Sequence, residues 1–173
     1  MFAETARRLG VALASGGHEL VYGGGHVGLM GVLADAVLAE GAVVTGVMTE
    51  HLVAAEVAHL GLTQLEVTPT MHARKARMAA LSDGVIVLTG GFGTLDEAFE
   101  MITWNQLGLV AVPVVFLDVA GYFAPLFEFI DASVSAEFVS AANAALARRS
   151  TTVDEAVLLA TSAPEAFTPK WLG

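Results

Sequence analysis

The feature that most constrains the fold is an alternation running the length of the chain. Short apolar runs rich in β-branched residues are each followed by a longer segment with helical spacing. Parallel neighbours in a sheet need a crossover that returns the chain to the same end, and a helix is the usual crossover. Helices are predicted over 2–14, 27–40, 70–82, 94–107, 123–132 and 154–161. Strands are predicted over 18–22, 42–48, 62–67, 84–88, 113–117 and, more weakly, 150–153. Residues 49–60 read as irregular, with room for one helical turn. The expected architecture is α/β: a Rossmann-like doubly wound parallel sheet flanked by helices, in a single domain over 1–173. A chain of 173 residues suffices for one such core and is short for two ordinary domains.

Composition narrows the function. Hydrophobic residues make up 55% of the chain, which suits buried parallel strands and a surface covered by a second subunit. The longest apolar region, 28–48, is interrupted by Asp35 and Glu40, so no run approaches the ~18 uncharged residues of a membrane span. No signal-peptide pattern begins at Met1. The absence of cysteine removes disulfides and thiolate metal ligands and fits a cytoplasmic location. His18, His26, His51, His59 and His72 lack ligand spacing, so no metal site is expected. A net charge of −10, with Lys75 and Lys170 as the lysines, argues against nucleic-acid binding. A small anion remains possible, because backbone N–H groups can hold a phosphate.

Two glycine clusters fall at predicted strand ends, where open α/β sheets bind ligands. The first, Gly23-Gly24-Gly25-His26-Val27-Gly28, satisfies the dinucleotide pattern G-x-G-x-x-G, and Glu50 follows the next strand as a candidate ribose ligand. Close packing of Gly28 and Gly31 explains the same residues without a ligand. The second, Gly90-Gly91-Phe92-Gly93-Thr94, leads into a helix whose free N–H groups favour a phosphate, with the Thr94 hydroxyl as a further donor. Three residues on, Glu97 admits two readings. Thr94-x-x-Glu97 is a capping box; alternatively Glu97 is an acid facing the phosphate cleft, on a stripe continued by Glu100, Met101 and Trp104. The third feature is Met71-His72-Ala73-Arg74-Lys75-Ala76-Arg77-Met78. Arg74 shares a helical stripe with Met71, Met78 and Leu81, whereas Arg77 points elsewhere. A guanidinium there needs an anion or several acceptors: a nearby structural carboxylate, a substrate phosphate, or Glu97 and the substrate together. No serine nucleophile elbow is present.

With these residues the chain resembles the LONELY GUY (LOG) family, cytokinin riboside 5′-monophosphate phosphoribohydrolases often labelled lysine decarboxylases. The family motif P-G-G-x-G-T-x-x-E is matched by 90–97 with Thr89 in place of proline, and M-H-x-R-K by 71–75. Residues 21–25, 28–31, 56–59 and 103–108 are typical as well. The resemblance implies hydrolysis of the N-glycosidic bond of an N6-modified adenosine 5′-monophosphate, giving free base and ribose 5-phosphate without a cofactor. It implies Arg74 and Glu97 as the catalytic pair. It implies nucleotide contacts from Gly25, Glu56, Lys75, Gly91, Phe92, Gly93, Thr94 and Thr103, and a homodimer in which both subunits line the active site. Rival readings are a non-catalytic nucleotide carrier, an NAD-dependent oxidoreductase using residues 23–28, and a pyridoxal-phosphate decarboxylase with Lys75 as the Schiff-base lysine. Three departures stand out: Thr89; residues 109–113 (Leu-Val-Ala-Val-Pro) where the family has His-x-x-Lys-Pro; and the lack of the family's first strand with its Gly-Ser-Ser loop. The last predicts that Met1 is an internal methionine.

Overall fold

Short strands alternate with helices in the computed structural model, which describes residues 1–55 and 58–163. Glu56, expected at the nucleotide, lies outside the described residues. The chain divides into two compact units, Met1–Ser82 and Asp83–Gly173.

The first unit contains α1 (Phe2–Ser15), β1 (Leu20–Tyr22), α2 (Gly28–Ala39), β2 (Val44–Thr49), α3 (Glu50–Ala54), β3 (Gln64–Thr68) and α4 (Met71–Leu81). Its three strands pair in parallel in the order β1-β2-β3, with Leu20 opposite Val44 and Thr45 opposite Gln64. All six residues of the central strand β2 are buried, as suits the largely apolar strand predicted over 42–48. Helix α1 packs on α2 through Gly10, where a Cβ would stand 2.6 Å from that of Ala36. Thr70 caps α4 as expected, its hydroxyl accepting the Ala73 N–H at 3.1 Å.

The second unit contains β4 (Val85–Val87), α5 (Phe92–Gln106), β5 (Val114–Leu117), a 3-10 turn (Val119–Gly121), α6 (Ala124–Ser135), α7 (Ala141–Ala144), β6 (Ala147–Ser150) and α8 (Val153–Thr161). The order is β4-β5-β6, again parallel, and β5 is buried throughout. Asn105, near the end of α5, clips the approach to β5: its amide donates to the Val112 carbonyl (2.8 Å) and accepts the Val112 N–H (2.9 Å).

Parallel pairing with helical crossovers is as predicted, and among the described residues the strands pair as two three-stranded sheets with β1, β3, β4 and β6 at their edges. The last strand occupies Ala147–Ser150, just before the predicted 150–153. Two arginines obscured it. Arg149 pairs with the buried Asp118 and lies 5.3 Å from the centre of the Phe127 ring, while Arg148 reaches the Leu159 carbonyl at 3.2 Å. Thr152, predicted as strand, caps α8. The short α7 was not anticipated. No helix among the described residues is long and apolar enough to cross a membrane.

Candidate active site

In the first unit the chain leaves β1 through Gly23, Gly24 and Gly25 before α2. Gly24 (φ 78°) and Gly28 (φ 65°) adopt left-handed conformations that favour glycine. Space constrains the others. A Cβ on Gly23 would fall 2.2 Å from Arg74 Nη2, and one on Gly31 would fall 2.0 Å from the His26 carbonyl oxygen. Across the sheet, a Cβ on Gly46 of β2 would come 2.7 Å from the Gly24 Cα, so the turn lies directly on its neighbouring strand. Glycines at 23, 24, 28 and 31 are thus required by the protein's own backbone and side chains. Glu50, the ribose ligand of the dinucleotide reading, is the exposed first residue of α3.

The turn is held from outside by the segment that follows residue 57. The His59 N–H donates to the Gly24 carbonyl (2.9 Å), and Gly25 bridges Ala58. The His59 ring accepts the Gly61 N–H at Nδ1 (3.1 Å), so Nε2 carries the proton facing Asp35 at 3.0 Å. Tyr22 donates its hydroxyl to the Gly25 carbonyl (3.2 Å), and burial, with Asp35 nearby, pushes its pKa up. This clasp was not read from the sequence, since its partners are far apart in the chain.

Arg74 is buried, as its place on the apolar stripe predicts. Several acceptors meet it: Nε donates to the Val47 carbonyl (2.8 Å), Nη2 to the Gly23 carbonyl (3.4 Å), and Nη1 lies 3.3 Å from the Met71 sulfur. Two carbonyl oxygens thus hold the guanidinium in place. It borders a cavity of about 240 Å³ whose other walls are Gly23, Gly25, Val27, Met30, Met48 and Leu52. Lys75, next on α4, is half-buried. Arg77 points away and pairs with Glu66, whose pKa is lowered chiefly by that hydrogen bond.

In the second unit the chain leaves β4 through Leu88, Thr89, Gly90 and Gly91 into α5. The helix starts at Phe92, earlier than predicted, with Gly91 as N-cap and no side-chain cap. Thr94 therefore stands at the third helical position and Glu97 a full turn further on. The capping-box reading is overturned, because the box requires Thr94 itself at the N-cap. Glu97 is half-buried, and the first-turn N–H groups have no acceptors within the helix. A Cβ on Gly90 would strike the Thr94 hydroxyl at 2.1 Å, whereas Cβ atoms on Gly91 and Gly93 would meet nothing within 4 Å. The Tyr122 hydroxyl donates to the Gly90 carbonyl at 2.8 Å, a second contact the sequence did not announce. The Thr89 hydroxyl oxygen, where the family pattern has proline, is buried without a hydrogen-bond partner among the described residues. Phe92 is exposed, and Thr103 is exposed with its hydroxyl bonded to the Phe99 carbonyl (2.7 Å). Among the described residues no His, Asp and Glu cluster could hold a metal.

Comparison with known proteins adds a further finding. A family model described as possible lysine decarboxylase matches residues 30–159. The chain is 45% identical over 141 residues to a probable cytokinin riboside 5′-monophosphate phosphoribohydrolase of Oryza sativa subsp. japonica, covering 82% of this chain and 63% of that one. It is 45% identical over 142 residues to a cytokinin riboside 5′-monophosphate phosphoribohydrolase of Rhodococcoides fascians, covering 82% and 72%. An Arabidopsis thaliana relative of the same description is 43% identical over 139 residues, covering 80% and 65%. The chain thus spans less than two thirds of the length of the two plant relatives. Among solved structures, the molybdenum cofactor binding protein of Rippkaea orientalis superposes with a TM-score of 0.69 at 20% identity, covering 91% of this chain and 84% of that one. The molybdenum cofactor carrier protein of Chlamydomonas reinhardtii gives 0.66 at 21%, covering 90% and 83%. At that identity the likeness concerns the fold alone.

Proposed function

The chain belongs to the cytokinin riboside 5′-monophosphate phosphoribohydrolase (LONELY GUY) family, and from that premise we propose that it hydrolyses the N-glycosidic bond of an N6-modified adenosine 5′-monophosphate. The products are the free base and ribose 5-phosphate. The observation that carries this reading is the start of α5. The helix N-terminus carries no side-chain cap, a Cβ on Gly91 or Gly93 would meet nothing within 4 Å, and a half-buried carboxylate, Glu97, follows one turn later.

In this reading the N–H groups of Gly91, Phe92, Gly93 and Thr94 take the 5′-phosphate, where the helix supplies partial positive charge. Glycosidic cleavage passes through an oxocarbenium-like state, which a nearby carboxylate stabilises. Glu97 holds the ribose hydroxyls, or orients the attacking water and accepts its proton. Arg74, fixed by carbonyls, positions the nucleotide and stabilises negative charge on the departing base. The apolar walls beside it, Met30, Met48, Val27 and Leu52, suit a hydrocarbon N6 substituent. Gly25, Glu56, Lys75 and Thr103 are proposed as further nucleotide contacts. We also propose a cytoplasmic homodimer, a reading supported by the apolar side chains that α5 leaves exposed at Phe92, Phe99 and Leu107. Sedimentation analysis tests the dimer.

The decisive experiment incubates the protein with isopentenyladenosine 5′-monophosphate and with AMP and quantifies free base by chromatography. Base release is expected, faster from the modified nucleotide. Glu97→Gln is expected to lower the rate by about 10²–10⁴-fold with an unchanged melting temperature. Nucleotide binding without base release in the unaltered protein points instead to a carrier.

A further inference from the structure

The bond from Tyr122 to the Gly90 carbonyl carries a consequence for the turn. A trans peptide is planar, with its N–H directed opposite to its C=O. Fixing the Gly90 carbonyl therefore fixes the direction of the Gly91 N–H, the first donor of the turn before α5. Tyr122 is itself held firmly. Its neighbour Phe123 donates its N–H to Asp118 Oδ1 (2.8 Å), and the buried Asp118 carboxylate is paired with Arg149. The Phe123 ring meets the rings of Phe116 and Tyr122 edge-on, each at 5.1 Å. Between Asp118 and Tyr122 the chain reverses through Ala120 (φ 57°) and Gly121 (φ 75°), both left-handed. A left-handed alanine and a buried carboxylate, Asp118, thus flank the tyrosine whose hydroxyl meets the Gly90 carbonyl.

We propose that Tyr122 is a positioning residue for phosphate recognition: its hydroxyl, held by the Asp118–Arg149 pair and the Phe116–Phe123 ring contact, aligns the Gly91 N–H with the anion. The proposal rests on reading the 90–94 turn as the phosphate cradle. Tyr122 touches neither the scissile bond nor the base in this scheme, so its effect falls on binding of the phosphorylated substrate.

The test compares the unaltered chain with Tyr122→Phe, which removes the hydroxyl and keeps the ring. Steady-state constants are measured for isopentenyladenosine 5′-monophosphate and for the unphosphorylated riboside, and inorganic phosphate is titrated by calorimetry. Expected are a rise of about five- to tenfold in KM for the monophosphate and in Kd for phosphate. The kcat, the riboside KM and the melting temperature stay put. Equal phosphate affinity in the two proteins overturns the proposal. So does an equal loss on riboside and monophosphate, which marks a merely structural role. If the unaltered protein binds phosphate but releases no base, the hydrolytic reading fails while the phosphate titration still decides the role of Tyr122. Absence of phosphate binding in the unaltered protein overturns the cradle and this proposal together.

Discussion

The two glycine turns, 23–25 after β1 and 90–93 after β4, look alike in sequence and differ in what surrounds them. Each leaves a three-residue parallel strand and leads towards a helix. In the first, the protein itself occupies the space a side chain would need: the Arg74 guanidinium at Gly23, Met48 at Gly24, the His26 carbonyl at Gly31. In the second, Gly90 is constrained by Thr94, but Gly91 and Gly93 face open space at an uncapped helix start. A glycine cluster therefore says only that side chains are excluded. What would meet a Cβ distinguishes a turn filled by packing from one left open.

The comparison breaks most readily at Gly23. Gly23→Ala should displace the Arg74 guanidinium, destabilise the chain by about 1–3 kcal/mol in urea unfolding, and cost on the order of a hundredfold in base release. A variant of unaltered stability and activity would show that the contact is soft. Gly93→Ala should behave in the opposite sense. Its Cβ enters empty space at a helical position, so stability should rise by about 0.4–1 kcal/mol, while KM for the nucleotide increases several-fold because the methyl intrudes on the anion. Unchanged KM would mean that the clear space is not used.

A third substitution separates backbone conformation from space. Glu137 sits just after α6 at φ 63°, a position that favours glycine, and its N–H closes the helix on Val134. Glu137→Gly should stabilise the chain by about 0.5–1 kcal/mol, read as a raised unfolding midpoint, with no effect on activity. The smallest effect is expected at Glu66, on β3 of the first unit. Arg77 holds its folded pKa below the ordinary value, so the pair contributes stability above the unfolded carboxylate pKa and loses it as pH falls through the folded one. Glu66→Gln should slightly flatten the acid limb of a stability–pH curve, and the difference should vanish in high salt because the pair is exposed.

Much of this was legible in the sequence. Arg74 on the apolar stripe of α4 is buried, and the Thr70 cap formed as read. Glu97 was ambiguous in sequence. Thr-x-x-Glu fits a capping box wherever a helix begins at the threonine, and only the early start of α5 at Phe92 removed that reading. The strand Ala147–Ser150 was hidden because its arginines find their partners elsewhere in the chain, Arg149 at Asp118 and Arg148 at the Leu159 carbonyl. Tyr122 and the His59–Asp35 clasp escaped for the same reason: their partners lie 32 and 24 positions away.

By itself the sequence determined the alternation of strand and helix, the parallel sense of pairing, and the family. These follow from local spacing and side-chain type, which act over a few residues. The tertiary structure alone decided which glycines are packed and which are open, that Thr94 is no cap, and which side chains hold each turn in place. Those outcomes depend on atoms brought together across the fold, and no local pattern records how close a distant guanidinium or carbonyl will come.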